Sequence, residues 1–194
     1  FEAGFRCTLK IKDHPPVMFK SFFPNPKWFF LSLILWFAFN LTLWYTGGNG
    51  WGTFLGFAEN YHKAELPIGV SRFWTPAFLW FYLWFLVSTV IFALFWRFKS
   101  DHPWQKWSVW GSAFILFNIW FSVQVNVVVN AWYNPFYDLI QKMLSSGGGD
   151  VNDLYQGVMT FLYVAMVYVT IAVFNLFFVS HYVFRWRTAM NDYY

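Results

Sequence analysis

The chain has 194 residues, of which 58% are hydrophobic, 27% aromatic and only 11% charged. A water-soluble domain needs more polar side chains than this to cover its surface, so the composition excludes that class and indicates a protein embedded in a membrane. The net charge of +4 comes from basic residues scattered between apolar stretches. Anionic lipid headgroups are the expected partner there, and nucleic-acid binding is not indicated.

Four stretches are free of charged side chains for about the 20 residues that a helix needs to cross a hydrocarbon core of roughly 30 Å. The helices predicted around them span about residues 28–46, 73–97, 105–142 and 154–185. These stretches are apolar on all sides, whereas the strands of a membrane barrel alternate polar and apolar residues. The predicted fold class is therefore all-α, a polytopic helical membrane protein with four transmembrane helices.

Lysine and arginine are distributed unevenly around these spans. The basic residues that flank the spans on one side are Lys20, Lys27, Arg97, Lys99, Lys106, Arg185 and Arg187. They lie before the first span, between the second and third, and after the fourth, and the other two loops mix basic with acidic residues. Because loops rich in Lys and Arg stay in the cytoplasm, both ends of the chain and the second loop are predicted to be cytoplasmic.

Tryptophan and glycine mark the predicted ends of the spans. Trp28, Trp44, Trp74 and Trp96 lie where interfacial aromatic belts are expected. The glycine-rich sequences GGNGWG at 47–52 and SSGGGD at 145–150 predict flexible turns.

Polar side chains recur every fourth residue along the third span. This polar stripe comprises Asn118, Ser122, Asn126, Asn130, Asn134 and Asp138. A spacing of four keeps successive side chains near one helix face while rotating them by about 40° at each step. Isolated amides often bond to neighbouring helices, but a stripe of six that ends in a carboxylate favours a helix lining a water-filled passage.

The residues around the stripe lead to further expectations. Pro135 removes a backbone donor and disfavours helical geometry before it, so a kink or break is predicted there. Tyr133 and Tyr137 flank that point and are predicted to contact a peptide in the passage. The valines between the amides, at 125, 128 and 129, are expected to tolerate leucine.

Motifs for catalysis and for cofactor binding are missing from the sequence. It contains no HExxH, no GxSxG, no GxxxxGK[ST] and a single cysteine, Cys7. The histidines are scattered over different loops and ends, which argues against an intramembrane lipid-modifying enzyme. A structural anchor, the other alternative, would not need a polar stripe. The sequence therefore predicts no enzyme, no metal and no cofactor, and it places His181 near a helix C-terminus, where a cation interacts favourably with the helix dipole.

Four segments of the chain resemble a known family. MFKSFFP, HPWQKWSVWGS, NAWYNPFYDLIQ and FFVSHYVFRWRTAMNDYY are similar to the N-terminal part of the SbmA/BacA family of bacterial inner-membrane peptide uptake transporters. The similarity runs from Met18 to Tyr194, so residues 1–17 are expected to be non-native or upstream sequence, and 18–194 the N-terminal part of a longer transmembrane domain. A looser likeness extends to the membrane domains of peroxisomal-type ABC exporters.

The resemblance implies a multi-pass protein of the bacterial inner membrane with an ABC-exporter-like (type 1) transmembrane fold. It implies a homodimer that imports peptides and peptide-like antibiotics, driven by the proton gradient. The expected partners are a second copy of the chain, membrane lipids and peptide substrates. The membrane domain of an ABC half-transporter, with its ATPase downstream, stays an alternative.

The site residues expected on this basis form two groups. The path-lining group is Asn118, Ser122, Asn126, Asn130, Tyr133, Asn134, Tyr137 and Asp138. The cytoplasmic exit motif is His181, Arg185, Trp186 and Arg187. Asp138 is the one titratable side chain of the stripe, and a carboxylate at a membrane interface is expected to stay solvated rather than to couple protons.

Overall fold

The computed structural model describes residues 22–57, 66–146 and 150–192. Over these residues it is all-helical and contains no strand. The four long helices are α1 (Pro26–Leu43), α2 (Pro76–Lys99), α3 (Ser112–Ser146) and α4 (Val151–Asn191). Each of them, with its helical extensions, is long and apolar enough to cross a membrane, which confirms the predicted class and the four spans. Residues 1–17 and half of the predicted turn at 145–150, namely residues 147–149, lie outside the described residues.

The helices begin at recognisable signals. Pro26 and Pro76 each occupy the first helical position, where the missing N–H costs nothing. Asp150 caps α4 by accepting a hydrogen bond of 2.9 Å from the backbone N–H of Asn152. With 41 residues, α4 is about 60 Å long, roughly twice the thickness of the hydrocarbon core. It therefore extends well beyond the membrane.

Consecutive helices are antiparallel neighbours. At one end of α1, Phe29 packs against Phe92 and Trp96 near the end of α2. At the other end, Trp44 packs against Phe81 and Trp84 near the start of α2. Aromatic contacts of this kind add about 0.5–1.5 kcal/mol each beyond the area that they bury.

The GGNGWG segment is helical except at Gly47, where non-helical backbone angles (φ 170°, ψ −17°) kink the chain, so the predicted turn at 47–52 is confined to that residue. A π-helical turn (Trp44–Gly48), a short α-helical turn (Asn49–Trp51) and a 3₁₀ turn (Gly52–Leu55) continue α1. A Cβ atom added at Gly48 would lie 2.8 Å from the ring of Trp84, and one at Gly52 would lie 2.8 Å from that of Trp80. The glycines thus serve a close approach between helices, and Trp80 Nε1 fixes it with a hydrogen bond of 2.9 Å to the carbonyl of Gly48.

The tryptophans divide into two groups. Trp28 and Trp74 are exposed, as expected for an aromatic belt, but Trp44 and Trp96 are only 7% and 2% exposed. Trp96 donates a hydrogen bond of 3.1 Å from Nε1 to Ser32 Oγ on α1. For Trp44 and Trp96 the belt interpretation is wrong, because packing between α1 and α2 removes them from the surface.

Helix α3 continues through Pro135 without the predicted break. The turn beside the proline is supported by α4: Trp132 stacks on Phe136 at 4.3 Å and on Phe161 at 4.7 Å, between ring centroids. Trp132 Nε1 also donates to the carbonyl of Gly157 at 2.9 Å. One missing backbone hydrogen bond is tolerated where a neighbouring helix holds the turn in place.

An aromatic cluster joins three distant parts of the chain at one end of the helices. Phe22, before α1, lies 5.4 Å from the ring of Tyr182 on α4 and 6.4 Å from that of Trp104, in the loop between α2 and α3. The hydroxyl of Tyr182 forms a hydrogen bond of 2.9 Å with Ser112 Oγ. This end is the one that the distribution of basic residues predicts to be cytoplasmic.

Candidate functional site

The polar stripe of α3 winds from the helix interface to the surface. Asn118 is only 6% exposed, and Ser122, which is half-buried, donates to the Asn118 carbonyl at 2.9 Å. The other four members, Asn126, Asn130, Asn134 and Asp138, are exposed. A rotation of about 40° per step accounts for this change of environment. The stripe therefore does not line one common surface.

The opposite face of α3 forms an aliphatic core with α4. Val125 and Val128 are completely buried against Val164. Phe73 and Phe78 complete this core from the segment before α2 and from α2 itself. The expectation that leucine is tolerated does not fit this packing at Val125 and Val128, because an extra methylene in a full core costs about 1–3 kcal/mol.

The exposed amides have aromatic neighbours. The rings of Tyr133 and Tyr137 are stacked nearly parallel, with centroids 5.8 Å apart and an interplanar angle of 11°. Both side chains are exposed, as is Asn134 between them. This part of α3 thus presents amides and phenol rings on a helix that the chain itself leaves uncovered.

A second polar feature lies between α3 and α4. A cavity of about 480 Å³ is lined by Ser122 from α3 and by Tyr168, Ala172, Asn175, Leu176, Val179 and Ser180 from α4. Asn175 Oδ1 is buried and has no hydrogen-bond partner among the described residues, and the same holds for Nδ2 of Asn118. An unpaired buried amide atom costs about 1–3 kcal/mol. Both atoms are closed off from solvent, so neither faces the open space of the cavity.

Sequence reasoning missed Asn175 and its neighbours Tyr168 and Ser180. Asn175 is a lone amide in the apolar run TIAVFNLFFV, without the four-residue repeat that drew attention to α3. The available signal was the amide itself, since polar side chains at membrane depth tend to face a helix neighbour or a wet cavity.

The exit motif is organised around an aromatic ring from the segment that precedes α3. Arg185 lies over the ring of Trp107 at 5.2 Å, and its Nε is 3.4 Å from Nε2 of His181. The His181 ring also contacts Trp107, at 5.4 Å. Arg187 is exposed, while Trp186 is half-buried and its Nε1 has no partner among the described residues. The expected helix-dipole role of His181 is wrong, because α4 continues to Asn191.

A third feature, of different character, lies among α1, α2 and α3. This cavity of about 460 Å³ is walled mainly by aromatic and aliphatic side chains, including Trp36, Trp84 and Phe85. Within the described ranges, no three His, Cys, Asp or Glu side chains come together in a way that could hold a metal ion.

Comparison with protein-family models matches residues 101–194 to the SbmA/BacA-like family. The matched region contains all of α3 and α4, and with them the polar stripe, the stacked tyrosines, the cavity at Asn175 and the exit motif. Helices α1 and α2 precede it.

Proposed function

We propose that this chain, whose residues 101–194 match the SbmA/BacA-like family of membrane proteins, imports peptides across the bacterial inner membrane, since that family implies transport of peptides and peptide antibiotics. In this proposal two copies of the chain form the transporter and the proton gradient drives it. The exposed face of α3 lines part of the path.

The observation that carries this proposal is the exposure of Asn126, Asn130 and Asn134 within a span of 39 residues. An amide side chain facing lipid would lose its hydrogen bonds to water without replacement. A passage that is wet, or that is occupied by a peptide, supplies those bonds. The stacked pair Tyr133 and Tyr137 adds apolar area and hydroxyl groups, both of which suit a peptide.

The exposed apolar surface of α4 supports a larger assembly. Of its residues, Val164 and Ala189 are the buried ones, and large apolar side chains such as Phe174, Leu176 and Phe177 are exposed. In the proposal, lipid covers part of this surface and the second copy covers the rest. Crosslinking between copies in native membranes should therefore yield dimers through α4.

The first experiment replaces Asn126, Asn130 and Asn134 singly by leucine in the full-length protein. Uptake of a labelled peptide per folded protein should fall severalfold, while expression and the apparent melting temperature in detergent stay near those of the parent. Val123→Leu, at an exposed apolar position of the same helix, is the matched control and should leave uptake unchanged. Unchanged uptake in all three variants would exclude the passage. A joint loss of stability and uptake would assign the amides to helix association instead.

The energy source has a separate test. Dissipating the proton gradient with an uncoupler should abolish uptake, and depleting ATP at a maintained gradient should not. The reverse result would favour the ABC half-transporter alternative. Asp138 is exposed at one end of the stripe, so Asp138→Asn should change uptake little.

Import also requires the predicted orientation. Single cysteines introduced as Ser100→Cys and Ser145→Cys, with Cys7 replaced by alanine, should differ in their reaction with a membrane-impermeant maleimide added to intact cells. We expect labelling at position 145 and none at 100. The opposite pattern would invert the topology.

A further inference from the structure

A cavity of about 380 Å³ lies between the end of α2 and the segment that leads into α3. From α2 it is lined by Val90, Leu94 and Arg97, which share one helix face because they are four and three residues apart. Val109 and Trp110 line it from the turn before α3. The helix rises by about 10 Å from Val90 to Arg97, so the cavity runs from an apolar wall to a charged end.

The charged end holds more positive than negative charge. Arg97 and Lys106 line it together with Asp101, which forms an ion pair of 2.8 Å with Arg97. Lys106 is exposed and has no ion-pair partner among the described residues. His102 also lines the cavity, and its Nδ1 accepts a hydrogen bond of 3.3 Å from the backbone N–H of Trp104, as a neutral ring does. Two cations beside one carboxylate leave a positive charge that attracts an anion.

Gln105 adds an amide that the chain itself does not use. The residue is only 6% exposed and lines the cavity. Its side-chain amide forms no hydrogen bond within the described part of the chain and, unlike the amide atoms of Asn118 and Asn175, it is not closed off from its surroundings. It therefore opens into the cavity, where it can both donate to a ligand and accept from one.

We propose that this cavity binds an anionic phospholipid of the surrounding membrane, phosphatidylglycerol. Its phosphate lies against Arg97 and Lys106, as expected for a basic pocket between membrane helices. The glycerol hydroxyls of the headgroup bond to the carboxylate of Asp101 and to the amide of Gln105, and the acyl chains lie along the apolar wall. The site goes beyond the proposed transport and does not depend on it.

The two ends of the cavity together favour a lipid over other anions. A soluble anion would use the charged end alone and leave the exposed apolar side chains of Leu94 and Trp110 without a partner. An exposed indole next to charged residues is also typical of the headgroup level of a membrane. Phosphatidylethanolamine fits less well, because its ammonium group cancels the charge of its phosphate.

The test counts lipids bound to the purified full-length protein in a non-ionic detergent by native mass spectrometry. Phosphatidylglycerol and phosphatidylethanolamine with the same acyl chains are titrated separately, and the parent should bind the first more tightly. Lys106→Gln should weaken phosphatidylglycerol binding about fivefold, the effect expected for one basic side chain near the membrane surface. Lys99→Gln is the matched control, since it removes the same charge at the end of α2 without touching the cavity, and it should leave the affinity unchanged.

A second variant, Gln105→Met, removes the amide with little change of size or charge. It should also weaken phosphatidylglycerol binding severalfold, and it tests the site if the Lys106 variant does not fold. Equal affinity of the parent for the two lipids, or equal losses in Lys106→Gln and Lys99→Gln, would overturn the site and leave only a general attraction to a basic surface. Displacement of the lipid by millimolar glycerol phosphate would assign the cavity to a soluble anion instead. No arm of the test measures uptake, so a failure of the proposed transport would leave the result standing.

Discussion

The α1–α2 pair and the α3–α4 pair are built from equally apolar spans but have different interiors. Helices α2 and α4 share a mean hydropathy of 2.2 in their best windows. Between α1 and α2, aromatic rings line the interface and the indole N–H groups of Trp36, Trp80 and Trp96 all have acceptors. Between α3 and α4, a small aliphatic core adjoins two amides with unpaired atoms. These indole groups of the first pair are paired within the chain, whereas the second pair leaves two buried amide atoms without a partner among the described residues.

The largest effect is expected where the first pair is tightest. Gly52→Ala places a Cβ atom 2.8 Å from the Trp80 ring and displaces the indole that bonds to Gly48. We expect a loss of about 2–4 kcal/mol in unfolding free energy, from overpacking and a lost hydrogen bond together. Thermal unfolding in detergent measures it, with Thr53→Ala on the exposed side as control. Equal stability of both variants would contradict the description of α1–α2 as tightly closed.

The corresponding test for the second pair is Val128→Leu. The side chain is fully buried against α4, so one extra methylene should cost about 1–3 kcal/mol. Val127→Leu, one position away and exposed, should be neutral. If both variants kept the parental melting temperature, the α3–α4 core would be looser than described.

A smaller effect on the unfolding free energy is expected when a hydrogen-bonded polar group is removed, and none or a gain when an unpaired one is removed. Ser88→Ala leaves Trp36 Nε1 without its acceptor at 3.0 Å and should cost about 1 kcal/mol. Asn175→Leu in the second pair removes an unpaired atom and should be neutral or stabilising by the same unfolding assay. A destabilising Asn175→Leu would mean that the amide already has a structural partner in the assembled protein.

The smallest effect on the unfolding free energy is expected at an ion pair on the surface. Arg97 and Asp101 form an exposed ion pair of 2.8 Å. Asp101→Ala should change the unfolding free energy by less than about 0.5 kcal/mol, and the difference should vanish at high salt because such pairs are screened. A larger change would mean that the loop after α2 contributes to closing the first pair.

The sequence predicted the parts of this structure that depend on a pattern repeated over many residues. Four charge-free runs predicted four helices, and the four-residue spacing of the amides predicted their slow rotation around α3. The predictions were wrong where one contact between residues far apart in the chain determines the local structure. Trp80 holds the Gly48 region helical, and Trp132 supports the turn at Pro135. Asn175 was missed because it is a single amide, and the burial of its Oδ1 depends on how α4 packs in the folded chain.

The contact between Phe22 and Tyr182 has a consequence for biogenesis. The two rings meet across about 160 residues of chain. At a synthesis rate of about 5–20 residues per second, roughly 8 to 32 s separate the emergence of the two partners from the ribosome. During that interval α1 and α2 can insert and pack through their own aromatic contacts, but Phe22 cannot yet contact Tyr182. The end of the bundle that contains Phe22 and Tyr182 therefore closes last, after the fourth helix has been delivered to the membrane.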